Sequence, residues 1–98
     1  MAMYIVLINW TDQGARSLKE SPERAEAFGK MAEEMGCTLH GNFFTMGRYD
    51  SVSRITAPDD ETISALTLRL AQMGNVRTET LRAYSGEEFA KVVEKLGG

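Results

Sequence analysis

Met3-Tyr4-Ile5-Val6-Leu7-Ile8-Asn9-Trp10 is an almost unbroken apolar run, one strand long, near the start of the chain. Successive side chains of a strand point to opposite faces, so a strand half in water alternates apolar with polar residues. This one does not alternate, which predicts a strand covered on both faces. Helices packed on one side of a sheet would satisfy only half of that demand.

The remaining segments say what supplies the first half. Thr11-Asp12-Gln13-Gly14 reads as a turn that caps a short helical segment to about Glu20. Ser21-Pro22-Glu23 restarts the helix, with Ser21 as N-cap and Pro22 in the first turn. Ala25, Phe28, Ala32 and Met35, with Met31 beside them, form its apolar stripe, and Gly36 ends it. Cys37 to Met46 predicts a second strand and Ser51 to Ala57 a third, joined through Gly47-Arg48-Tyr49-Asp50 as a central hairpin. Pro58-Asp59-Asp60-Glu61 opens a second long helix, since carboxylates favour the positive end of the helix dipole. Ile63, Leu66, Leu70 and Met73 follow at helical spacing, and Gly74-Asn75 stops it. Val76 to Tyr84 reads as a fourth strand. Ser85-Gly86-Glu87-Glu88 is a capping box ahead of a short closing helix with Phe89, Val92, Val93 and Leu96 on one stripe.

The order β-α-β-β-α-β-α is that of an α+β, ferredoxin-like fold with an added C-terminal helix, one domain over residues 1–98. Right-handed crossovers put both main helices on one face of a four-stranded antiparallel sheet. The other face would carry an apolar patch, with Phe43 and Phe44 placing an aromatic on each side of their strand. Pairing with a second copy would bury it, so the sequence predicts a homodimer at least.

Charge excludes several classes of partner. The formal net charge is −3, and Lys and Arg are scattered. Nucleic acids and anionic membrane surfaces are both recognised through clustered basic residues, so neither is expected as a partner. Cys37 is the single cysteine, which rules out an internal disulfide and reads as cytoplasmic. Met1 to Trp10 lacks the features of a signal peptide, and no apolar run approaches the roughly 20 residues of a membrane span.

Five stretches together resemble the GYD-domain family of the dimeric α/β-barrel superfamily: Trp10 to Gly14, Ser21 to Phe28, Met46 to Asp50, Ala57 to Glu61, and Gly74 to Ala83. Here the namesake tripeptide is Gly47-Arg48-Tyr49-Asp50, with Arg48 inserted. The resemblance implies a ferredoxin-like fold paired into a dimeric α/β barrel, and no assigned activity. The wider superfamily includes cofactor-independent monooxygenases, isomerases, haem-binding enzymes and stress-response proteins, but a shared fold does not carry their chemistry across.

Candidate site residues each have a functional and a structural reading. Tyr49 and Asp50 would supply a proton donor and acceptor to an enolic or phenolic substrate, or else Asp50 bonds turn amides and Tyr49 packs across a dimer. His40, the sole imidazole, is expected on the same strand face as Asn42 and Phe44, where it would act in proton transfer or line a ligand site, or else is an exposed or hydrogen-bonded strand histidine. Trp10, with Asp12 and Gln13, lies where the first strand meets the first helix, a natural pocket mouth, or else a capped helix start with Trp10 wedged over the core. Arg54 and Arg82, near Arg77 and Glu79, would clamp a carboxylate or decorate an exposed edge with ion pairs. Cys37 and His40 have metal-ligand spacing, yet three apart on a strand they face opposite ways, so neither metal nor cofactor is expected. The helix dipole ahead of Cys37 would raise its pKa.

Three functional readings follow. One is a homo-oligomeric small-molecule-binding module with a largely apolar pocket between sheet and helices, polar groups coming from His40, Tyr49, Asp50, Arg54, Trp10 and Asn42. Another is a cofactor-independent enzyme in which Tyr49 and Asp50, or His40, move the proton. The last is an assembly protein with no ligand.

Overall fold

The computed structural model describes residues 1–97. Four strands, β1 (Ala2–Trp10), β2 (Thr38–Phe44), β3 (Ser51–Ala57) and β4 (Val76–Ala83), and four helices, α1 (Asp12–Arg16), α2 (Ser21–Glu34), α3 (Asp60–Gln72) and α4 (Gly86–Glu94), follow in the order β1-α1-α2-β2-β3-α3-β4-α4. A 3-10 turn, Leu18–Glu20, joins α1 to α2. The sheet order is β2-β3-β1-β4 and every neighbouring pair is antiparallel. This is the ferredoxin-like arrangement, with the apolar run of β1 paired along both edges.

The two faces of β1 meet different surroundings. Tyr4, Val6 and Ile8 are buried on the face that carries the helices. There they join Phe28, Met31 and Ala32 of α2, Ile63 and Leu66 of α3, and Ile55 and Ala57 of β3. Met3, Ile5 and Leu7 point the other way and are only half-buried. On that open face Phe43 is 67% exposed and Leu81 45%. One half of the demand read from the sequence is therefore met within the chain.

Two helix starts are built differently from each other. Asp59 caps α3 from extended backbone, its carboxylate accepting from the Thr62 N–H at 2.8 Å and the Thr62 hydroxyl at 2.6 Å. Ser21 was the expected cap of α2, but its backbone is already helical, with φ −56° and ψ −42°. An N-cap needs extended backbone to aim its side chain at the first N–H groups. The 3-10 turn runs straight into α2, and the Ser21 hydroxyl instead accepts from Arg24 Nη2 at 3.2 Å.

The C-terminal helix forms as expected. Ser85 and Glu88 make the reciprocal capping box, and Glu88 lies 3.9 Å from Arg82, whose guanidinium stacks over Tyr84. Yet its stripe of Phe89, Val92, Val93 and Leu96 stays largely exposed. The radius of gyration, 14.9 Å, accordingly exceeds the roughly 13 Å of a compact 100-residue domain.

The end of β1 is locked to the start of β4. The Thr11 N–H donates to the Asn75 carbonyl at 3.0 Å, and the Thr11 hydroxyl to the Gly74 carbonyl at 2.5 Å. Gln13 Nε2 reaches the Met73 carbonyl and Asn75 Oδ1, each at 3.0 Å. Gly14 presses against the same peptide: a Cβ there would stand 2.0 Å from the Asn75 carbonyl oxygen. Neither backbone can retreat without breaking the lock. Gly14→Ala is expected to destabilise the protein by about 1–3 kcal/mol, the range for forced overpacking. Gly86→Ala, where an added methyl meets nothing within 4 Å, should be neutral or slightly stabilising, both variants being compared with the wild type by urea titration.

At the opposite end of β1 the buried Tyr4 hydroxyl donates to the Asp60 carboxylate. That bond, then burial, push the Tyr4 pKa above its ordinary value near 10. A pKa raised on folding contributes stability below the unfolded value, and the contribution is lost as pH rises through the folded value. Between pH 9 and 11 the wild type should lose more thermal stability than Tyr4→Phe. Equal losses would show that the bond contributes nothing to alkaline stability.

Candidate functional site

Where β1 ends, the sheet and α2 diverge and leave a cavity of about 140 Å³. Its floor is Ile8, Asn42, Phe44 and Ser51 of the sheet, and Phe28 and Met31 of α2 with Leu70 of α3 form its apolar walls. Trp10 and Phe44 stand together at its rim, ring centroids 6.4 Å apart and planes inclined by 18°. A second depression, between α3 and β4 around Leu68 and Arg77, is wider and open to solvent.

Polar groups in the cavity are few. Asn42 Oδ1 accepts from the buried Ser53 hydroxyl at 2.7 Å. Among the described residues its amide N–H groups have no protein partner. Ser51 is 6% exposed, and among the same residues its hydroxyl likewise takes no protein partner. Arg24 is the one ionisable side chain that the described residues contribute to the lining. Its guanidinium staples the helical segments together, donating to the Ser17 carbonyl (3.0 Å), the Ser17 hydroxyl (3.1 Å), the Ser21 hydroxyl and, at 3.5 Å, the Gly14 carbonyl. Glu20 is 3.5 Å away and exposed.

The residues expected at the site divide. Trp10 and Asn42 line the cavity. His40 does not, and it lies on the other face. A β-bulge between Leu39 and Gly41 inserts an extra residue opposite β3. A bulge breaks strict alternation, so His40 bonds the hydroxyl of Thr56 at 2.9 Å on the open face, while Asn42 and Phe44 keep to the helix side. Arg54 is exposed on the open face, opposite Ile5. Arg82 pairs with Tyr4 and is on the helix face, so the two arginines do not converge into a carboxylate clamp.

Tyr49 and Asp50 diverge too. The Asp50 carboxylate accepts from the Trp10 N–H at 2.9 Å, and its own N–H donates to the Ile8 carbonyl (2.9 Å) and Asn9 Oδ1 (3.1 Å). It bonds the end of β1 rather than the turn amides alone. The Tyr49 hydroxyl reaches Glu79 on β4 at 3.1 Å, and Arg48 sits over its ring. Neither residue touches the cavity. Cys37 is buried, and burial first, then Asp59, push its thiol pKa up.

Phe44, Ser51 and Arg24 are among the lining groups that the sequence alone does not single out. Arg24 sits within a family-like stretch, three residues after Ser21 on the helix. That i,i+3 spacing is the one signal that would have drawn attention to it.

The model of the GYD domain matches residues 4–93. The chain belongs to the GYD domain family. A Thermus thermophilus protein named glutamine synthetase and cystathionine beta-lyase binding protein is 36% identical over 84 residues, covering 85% of this chain and 88% of that protein. The crystal structure of TTHA0845 from Thermus thermophilus superposes with a TM-score of 0.58 at 24% identity, over 88% of this chain and 96% of that one. The crystal structure of FFRP-DM1 gives a TM-score of 0.62 at 15% identity, over 86% and 100%. Both structures share the fold. In this GYD domain the family-like stretches Trp10 to Gly14 and Gly74 to Ala83 meet through the Thr11, Gln13 and Gly14 contacts, and the namesake aspartate bonds the strand leading into them.

Asp50→Ala should therefore cost about 1–3 kcal/mol of stability by leaving the Trp10 N–H without its acceptor. Tyr49→Phe, losing one exposed hydrogen bond, should stay within about 0.5 kcal/mol in the same denaturation series. The reverse order would make the tyrosine the structural half of the motif.

Proposed function

We propose that this GYD-domain protein is a homo-oligomeric small-molecule-binding module, the ligand entering between sheet and helices at the end of β1. The observation that carries this reading is the cavity itself: 140 Å³ of mainly apolar space rimmed by Trp10 and Phe44, with Asn42 and Ser51 offering donors that take no protein partner among the described residues. Ligand sites are typically concave and apolar with a few placed polar groups, and this one has that composition. A packed core would have closed it.

Self-association is supported by the open sheet face. Met3, Ile5, Leu7, Val52, Phe43 and Leu81 present a contiguous apolar surface with Arg54 in its middle. A second copy laid face to face, as a dimeric α/β barrel, covers the half of β1 that the helices leave bare. A single reduced cysteine and the absence of a membrane-spanning helix among the described residues fit a cytoplasmic setting.

A second reading is favoured by one further observation. The stripe of Phe89, Val92, Val93 and Leu96 on α4 is an apolar face that the sheet does not use. Taken with the Thermus relative named for binding glutamine synthetase and cystathionine beta-lyase, it supports docking on another protein through this helix.

Native mass spectrometry of gently purified protein tests the proposal. The expected species has at least twice the chain mass, and Ile5→Asp should reduce it to a folded monomer. A wild type that stays monomeric at micromolar concentration would overturn the oligomer.

A further inference from the structure

We infer that the cavity takes a benzene-sized aromatic carboxylate. This assignment rests on the small-molecule reading and adds the chemical class. Size sets the first limit. An apolar protein cavity of about 150 Å³ holds one benzene ring, and this cavity measures 140 Å³. Ile8, Phe28 and Met31 line it with hydrocarbon, and the stacked Trp10 and Phe44 give its rim a flat aromatic edge.

The polar groups decide what the ring carries. Ser51 is more than nine-tenths buried, lines the cavity, and its hydroxyl has no protein partner among the described residues. Asn42 is fixed by the Ser53 hydroxyl at its Oδ1, which turns its Nδ2 donors into the available end. The Asn42 amide can only donate to the ligand and the Ser51 hydroxyl can donate as well, so the ligand brings an acceptor. A hydrocarbon would leave them unpaired in an apolar space, at the cost of their hydration.

Charge then separates a carboxylate from other substituents. The chain as a whole is negative, −3, yet among the described residues no Asp or Glu lines this cavity and Arg24 does. Four of the five contacts made by the Arg24 guanidinium are to neutral carbonyls and hydroxyls, and the fifth is the exposed Glu20. Its one counter-charge among the described residues is thus an exposed carboxylate, screened by solvent, while the guanidinium borders an apolar space. An anion is favoured there, and an ammonium group would find no counter-charge in the lining.

Amide chemical shifts of the full chain, titrated with benzoate, toluene and benzylammonium, test this. Benzoate should bind at least about tenfold more tightly than toluene, the difference expected for charge-assisted hydrogen bonds. Benzylammonium should bind most weakly, and shifts should centre on Ile8, Phe28 and Asn42. Asn42→Asp keeps an acceptor for Ser53 but replaces the neutral amide donor with a negative charge, and should abolish the preference for benzoate while toluene binding persists. Asn42→Leu is the neutral check should the aspartate disturb folding, and it too should bring benzoate down to the level of toluene. Equal binding of benzoate and toluene by the wild type, or tighter benzylammonium, would overturn the carboxylate assignment and leave the pocket standing. If no probe shifts these residues, the small-molecule reading falls as well.

Discussion

The hydrogen bonding of β1 along both edges is the constraint on which the rest of the molecule depends. From Met3 to Ile8 it is paired to β3 on one side and β4 on the other, so its backbone has no free edge and its side chains can only point up or down. Upward they build the core with α2 and α3. Downward they leave Met3, Ile5 and Leu7 half-covered. The fold and the case for a second copy both follow from one strand with two apolar faces.

The ends of that strand are treated differently. At Tyr4 the core is sealed by a buried phenol held to Asp60 at the start of α3. At Trp10 the chain is pinned by polar backbone contacts instead: Asp50 holds the Trp10 N–H, and Thr11 and Gly14 press against the Gly74-Asn75 turn. Backbone contacts fix position without filling volume. That is why the cavity can persist beside Trp10, where hydrogen bonds rather than packed side chains hold the elements in place.

The outcome at the candidate residues follows the same division. Trp10 and Asn42 were legible as pocket residues because their place at the end of β1 and along β2 follows from strand order and alternation. His40 was misplaced by alternation itself, since the bulge at Leu39/Gly41 consumes one extra residue and has no mark in the sequence beyond an ordinary glycine. Tyr49 and Asp50 are adjacent in sequence and work on different strands, Glu79 of β4 and Trp10 of β1. Arg24 went unselected because a charge on the first turns of a helix reads as solvated until the 3-10 turn folds back over it.

By itself the sequence determined the elements, their order and the handedness that puts both helices on one face, because periodicity, capping residues and crossover sterics are local or nearly so. It also determined that β1 is apolar on both faces. Only the tertiary structure decided which groups share a space: the bulge that moves His40, the divergence of Arg54 from Arg82, and the gathering of Trp10, Phe44, Asn42, Ser51 and Arg24 around one cavity. Those outcomes depend on register and on contacts between residues far apart in the chain, and a one-residue change of register moves a side chain to the opposite face.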